Sequence, residues 1–174
     1  INVDCEGRPY PGLARSWTTD ASKTRVTLVL RDGARFASGE PLTARDVVAA
    51  WRATGDAPRN AVQLASRLAD ATTIIDDRTL VVSLPDTESL VLAEPALAVY
   101  RVAAGSPWPD GSGPYRVAES GSTTRTLALV PTEPHAGPRV VIRSGFADAR
   151  DAIDAGADLI LAADPVAVRY AATR

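Results

Sequence analysis

The stretch that most constrains the fold is Thr72-Thr73-Ile74-Ile75, Asp76-Asp77-Arg78, Thr79-Leu80-Val81-Val82-Ser83-Leu84. β-Branched and aliphatic residues on both sides of a short acidic turn read as a strand, a tight turn and a returning strand, closed by Pro85. Asp in such a turn is favoured because its carboxylate bonds to nearby backbone N–H groups. A second run of this kind, Arg25-Val26-Thr27-Leu28-Val29-Leu30, follows the turn-prone Thr19-Asp20-Ala21-Ser22. It ends at Arg31-Asp32-Gly33, where glycine tolerates the positive φ of a sharp reversal. A chain that commits this much to hairpins is not a helix bundle.

Helices are nevertheless marked. Thr43 is placed to cap a helix, with Asp46 three residues on as a carboxylate capping box. Val47, Val48 and Trp51 then form an apolar stripe. This helix is expected to run to about Thr54, with Gly55 ending it. Residues 58–70 are alanine-rich and partly helical by the same reading, and Thr87 begins a short helix through Leu92. Residues 105–113 hold three glycines and two prolines and read as loop. Residues 114–118 and 124–130 form an antiparallel pair around Ser120-Gly121-Ser122. Residues 139–143 are a strand, 147–155 a helix with Gly156 just past it, and 158–161 a strand. Pro165 opens a last helix. Hairpins early and strand–helix–strand late imply a mixed α+β or α/β lobe, with residues 1–174 as one domain.

The charge balance excludes some functions. Nineteen basic against 21 acidic side chains leave a net charge of −2, which argues against a broad nucleic-acid-binding face. One cysteine, Cys5, allows neither an internal disulfide framework nor a multi-cysteine zinc site. Asn2-Val3-Asp4 lacks the small and apolar residues of a lipoprotein processing site, so Cys5 reads as a small, semi-buried side chain. The lone histidine, His135, sits in a Pro/Gly-rich stretch and reads as solvated. No nucleotide-binding glycine motif and no nucleophile elbow occur. Asp148, Asp151 and Asp154 share a helix face; a hard cation is one reading and a solvated face, with Arg150 among them, the other. Trp17 and Trp51 read as core anchors. Trp108, between two prolines, either covers a core edge or lines a binding surface. No cofactor is implied, and a binding module is a better class than an enzyme.

Three segments, taken together, resemble one family. They are Pro11-Gly12-Leu13-Ala14-Arg15-Ser16-Trp17, Arg31-Asp32-Gly33-Ala34-Arg35-Phe36, and the run from Gly39-Glu40-Pro41-Leu42-Thr43 to Trp51. With Gly111-Ser112-Gly113-Pro114-Tyr115 and Ala152-Ile153-Asp154-Ala155-Gly156-Ala157-Asp158-Leu159-Ile160, they closely resemble the family 5 extracellular solute-binding proteins. These are the peptide- and nickel-binding receptors of bacterial ABC importers. The resemblance implies a periplasmic-binding-protein-like first lobe, with a mixed sheet, hairpins and flanking helices. Members of that family are much longer and have two lobes that close on a ligand. This chain therefore reads as the N-terminal lobe alone, a monomer working with a membrane permease outside the cytoplasm. Any membrane anchor would come from a removed leader. The other reading is an interaction or sensor domain of a transcription regulator.

The resemblance also implies where a peptide or similar small solute would sit. Tyr100, Trp108 and Tyr115 would supply flat walls, Arg101 a bidentate donor to a carboxylate, and Ser112-Gly113 a closely approachable backbone. Against this stands a plainer reading: Tyr115 is core, Arg101 is solvated, and the glycines only make a turn.

Overall fold

The computed structural model describes residues 1–53, 59–85, 97–102, 105–121, 126–133, 137–146, 148–159 and 169–170. The chain divides into two compact units, one of residues 1–116 and 131–138 and one of residues 117–130 and 139–174.

The first unit is built on a four-stranded sheet, in the order β3 (Ala14–Thr19), β4 (Arg25–Leu30), β6 (Thr79–Ser83), β5 (Thr72–Ile74). Its pairings are antiparallel, with Leu28 opposite both Trp17 and Leu80. Alternation sets the faces. Val26, Leu28 and Leu30 of β4 and Leu80 and Val82 of β6 are buried, while the residues between them are not. The expected β5–β6 hairpin forms, and the Asp76 carboxylate accepts the N–H groups of Arg78 and Thr79 at 2.7 and 2.8 Å.

Two helices, α1 (Ala44–Arg52) and α2 (Arg59–Asp70), contribute to the same core. Val47, Val48 and Trp51 from α1 and Ala65, Leu68 and Ala69 from α2 are buried with the sheet's aliphatic face. Thr43 and Asp46 form the capping box. The Asp46 carboxylate accepts the Thr43 N–H and hydroxyl, both at 2.7 Å. The helix ends slightly earlier than its pattern implied, at Arg52 with Ala53 as cap. Ala53 closes it with bonds to the carbonyls of Ala49 and Ala50, so the turn tightens before Gly55, which lies outside the described residues.

Two short ribbons complete the unit. β1 (Asn2–Val3) pairs with β2 (Pro9–Tyr10). Cys5 sits in the turn between them and is exposed, not semi-buried. Asp4 folds this turn by accepting the N–H groups of Glu6 and Arg8, which leaves Cys5 at its outer edge. The second ribbon, β7 (Tyr100–Arg101) with β8 (Asp110–Gly111), lies partly within the segment expected to be loop. Pro109 precedes β8 and Gly111 lies within it, but bonds from Ser38, 72 residues away from Asp110, and from Ala37 hold it extended.

The second unit holds a three-stranded sheet, in the order β11 (Val140–Arg143), β10 (Thr126–Pro131), β9 (Tyr115–Gly121), whose β9 begins in the first unit. Its helix α3 (Ala149–Asp154) is capped by Asp148, which accepts the Arg150 N–H at 2.8 Å. It ends in a Schellman motif. Gly156, at φ +75°, bonds to the Ile153 carbonyl, and the Ala157 N–H bonds to Ala152. Asp158 and Leu159 are not in a strand, contrary to expectation, because no described strand pairs with them; residues 160–161 lie outside the description. So do His135, the helix expected from Thr87 and the start of the last helix. Asp148 is occupied by Arg150, and Asp154 accepts the Tyr170 hydroxyl at 3.0 Å.

Candidate functional site

The first unit contains a cavity of about 520 Å³. Its floor is aliphatic and aromatic: Leu28 and Leu30 of β4, Leu80 of β6, and Val47 and Trp51 of α1. Residues 11–14, 97–99 and 112–114 also line it, with Asn2, Arg31, Thr132 and Glu133 as polar contributors; these segments are called the rim below.

The rim segments are held to the core and to one another by hydrogen bonds. The Arg31 N–H reaches the Leu13 carbonyl at 2.9 Å, fixing residues 11–14 to the end of β4. The Trp51 indole N–H donates to the Leu97 carbonyl at 3.3 Å, tying α1 to residues 97–99. The Ser112 N–H donates to the Val99 carbonyl at 3.0 Å, and the Thr132 N–H to the Pro114 carbonyl at 2.9 Å. A side chain at Gly12 would press on Asn2, whose exposed amide would have to give by a few tenths of an ångström. A Cβ there would lie 3.0 Å from the Asn2 side-chain nitrogen. At Gly113 the opposite holds, because a Cβ would meet nothing within 4 Å and the backbone faces open space.

Of the residues singled out in the sequence, Ser112 and Gly113 line this cavity; Tyr100, Arg101, Trp108 and Tyr115 do not. Tyr100 is half-buried on β7 opposite Gly111. Trp108 is 37% exposed, in a loop pinned by the Ser106 hydroxyl, which bonds to the Trp108 N–H and carbonyl at 3.0 Å. Tyr115 is half-buried, with its hydroxyl against Gly137. The Ser112 N–H turns inward to Val99 rather than outward.

Arg101 keeps 38% of its side chain exposed but is fully engaged by partners. Its Nη2 lies 2.6 Å from Glu40 and 3.0 Å from Asp110, its Nε donates to Asp110 at 3.1 Å, and its guanidinium stacks 4.2 Å over the Phe36 ring. The Glu40 hydrogen bond, with help from Asp110, raises the Arg101 pKa further above its ordinary value. Asp110 is buried, and it also accepts the Ser38 N–H at 2.9 Å and the Ser38 hydroxyl at 2.7 Å. Burial pushes its carboxyl up, but the Ser38 and Arg101 bonds outweigh this and hold its pKa below the ordinary value. Reading the sequence alone missed this cluster. Asp110 sits between Pro109 and Gly111 like any turn aspartate, and nothing local marks Ser38 as its partner.

A cavity lined mostly by apolar residues can take up an apolar group. Among the described residues no three His, Cys, Asp or Glu side chains are grouped to hold a metal ion, and no helix is long and apolar enough to cross a membrane.

Comparison with known proteins identifies the family. Residues 8–132 match the model of the bacterial extracellular solute-binding proteins, family 5. A protein of Sinorhizobium fredii named "Probable peptide ABC transporter periplasmic-binding protein y4tO" is 30% identical over 126 residues, which cover 67% of this chain and 24% of that one. The periplasmic oligopeptide-binding protein OppA of Haemophilus influenzae is 40% identical over 68 residues, covering 39% of this chain and 12% of its own. Among solved structures, the murein tripeptide binding protein MppA of Escherichia coli superposes with a TM-score of 0.61 at 25% identity, covering 75% of this chain and 31% of that one. The chain thus spans about a quarter of y4tO and less of OppA.

Proposed function

This chain belongs to the family 5 bacterial extracellular solute-binding proteins, and from that premise we propose that it forms one wall of the solute-binding component of an ABC importer, with short peptides as the solute. It works outside the cytoplasm and hands its ligand to a membrane permease. The relatives named above are peptide-binding proteins by name, which supports peptides over other solutes.

The observation that carries this reading is the cavity of about 520 Å³ with Ser112-Gly113 on its rim. Ligand sites typically measure roughly 300–1,000 Å³ and are mostly apolar with a few placed polar groups. A peptide would lay its backbone along the open side of Gly113 and drop an apolar side chain toward Leu28, Leu80 and Trp51. Tyr100 and Trp108 would add flat surface from the neighbouring ribbon, and Tyr115 would back the rim. Arg101, held between Glu40 and Asp110, serves the site from behind and does not itself grip the ligand carboxylate.

A wall of this kind covers only part of a ligand, whereas full sites bury roughly 70–90% of it. The chain by itself should therefore bind near the millimolar range, about −4 kcal/mol. Saturation-transfer NMR suits that range. Tri-leucine and tri-alanine are to be compared with maltose and with nickel ion, the last followed by line broadening. Saturation of the tripeptides alone supports the proposal. Signals from maltose or broadening by nickel, without any from the peptides, would replace it.

A further inference from the structure

We propose that Arg101 and Asp110 form a clasp that positions the Ser112-Gly113 rim, an inference that rests on the receptor reading for its purpose but not for its geometry. Asp110 is buried and has four donors aimed at it: the Ser38 N–H and hydroxyl, and the Nε and Nη2 of Arg101. Such a carboxylate has few places to go, because leaving it buried and unpaired is costly. The clasp is bolted on the outer side as well, since Arg101 Nη2 reaches Glu40 and the guanidinium covers Phe36, itself 4% exposed.

The consequence runs along the backbone. Arg101 and Asp110 are directly opposite in the β7–β8 ribbon, so their pairing sets its register. Gly111 follows, and its carbonyl accepts the Ala37 N–H at 2.8 Å; Ser112 comes next, donating to Val99 at 3.0 Å. Two residues after Asp110 the chain is already cavity rim. The 36–40 loop thus holds the ribbon from one side while Val99 holds it from the other. A two-residue pairing is too short to keep its register unaided. The side-chain clasp supplies what the ribbon's length does not. Neither Arg101 nor Asp110 lines the cavity; they are positioning residues, and their loss would loosen the rim rather than remove a contact.

The test is residue-resolved amide hydrogen exchange on the 174-residue chain, with tri-leucine binding measured in parallel by NMR titration. Arg101→Gln, which keeps a donor but loses the charge and the fork, should raise exchange at Ser112 about tenfold. The amides of β4 should stay protected, and tri-leucine should bind more weakly. Arg101→Lys should fall between Arg101→Gln and the native chain. Unchanged exchange at Ser112 would overturn the clasp. Equal deprotection of Ser112 and β4 in both variants would also overturn it, since Arg101 would then support the whole unit. Faster exchange at Ser112 with unaltered tri-leucine binding would show that the rim's order does not matter and would end the positioning role. If the native chain fails to bind tri-leucine, the peptide reading fails, while the exchange data still decide the clasp.

Discussion

The Trp51 indole donates its N–H to the Leu97 carbonyl at 3.3 Å, so one side chain of α1 both fills the core and holds the rim segment over it. Trp51 is 5% exposed and lies with Val47, Leu28 and Leu80 at the cavity floor. Trp51→Ala is expected to cost roughly 3–5 kcal/mol, the range for a large aromatic removed from a core. Trp51→Phe, which keeps most of the packing, should cost much less and release residues 97–99. Denaturant unfolding of the two variants separates packing from the hydrogen bond; equal losses would mean that the bond to Leu97 dominates.

The Thr43–Asp46 capping box gives a second prediction. Thr43→Ala removes the hydroxyl bonded to Asp46 at 2.7 Å and should destabilise by about 0.5–2 kcal/mol. Thr43→Ser should be nearly neutral. An unchanged urea midpoint for Thr43→Ala would show that the Thr43 hydroxyl contributes nothing to holding α1.

How far the sequence disclosed this structure depended on where each residue's partners lie. The β5–β6 hairpin and the α1 cap were legible because Asp76 and Asp46 bond within three residues of themselves. Strands β4 and β6 were legible because a run of β-branched and aliphatic residues bounded by turn residues needs no distant information. Cys5 was misplaced because its exposure follows from the Asp4 turn, not from the side chain's own apolarity. The site was half legible. Ser112-Gly113 stood out as a turn, but its neighbours on the rim come from residues 11–14, 97–99 and 132–133. The partners of Arg101 were hidden most deeply, since Ser38 is 63 residues away from it and Glu40 nearly as far.

Asp148 should report on acid. The Arg150 guanidinium and backbone N–H lower its pKa from 3.8 to about 2. A carboxylate whose pKa is depressed on folding stabilises the fold above its unfolded value and loses that contribution as pH falls through the folded one. The cap on α3 should therefore be intact above about pH 4 and released toward pH 2. The Arg150 amide shift, followed by NMR across that window, should move with the carboxylate. In Asp148→Asn the cap stays and the titration step disappears. A step at the ordinary carboxylate value in the native chain would show that Arg150 does not hold Asp148 in solution.

Gly137 offers a local probe of Tyr115. A Cβ at position 137 would lie 2.5 Å from the Tyr115 hydroxyl oxygen. Gly137→Ala must push the ring aside and should lower stability by about 1 kcal/mol, the usual size for a local clash. Adding Tyr115→Phe removes the clashing atom and should restore most of the loss. A double variant no more stable than Gly137→Ala would place Tyr115 elsewhere.

On the receptor reading proposed above, a peptide binds at the Ser112-Gly113 rim with a side chain in the cavity beneath. The most direct measurement is a ¹H–¹⁵N shift map of the native chain titrated with tri-leucine. Saturable shifts are expected at the amides of Gly12, Val99, Ser112 and Gly113 and at the Trp51 indole, residues that line the cavity. Shifts confined to the exposed strand β11, or none at the rim when the peptide is in excess, would contradict it.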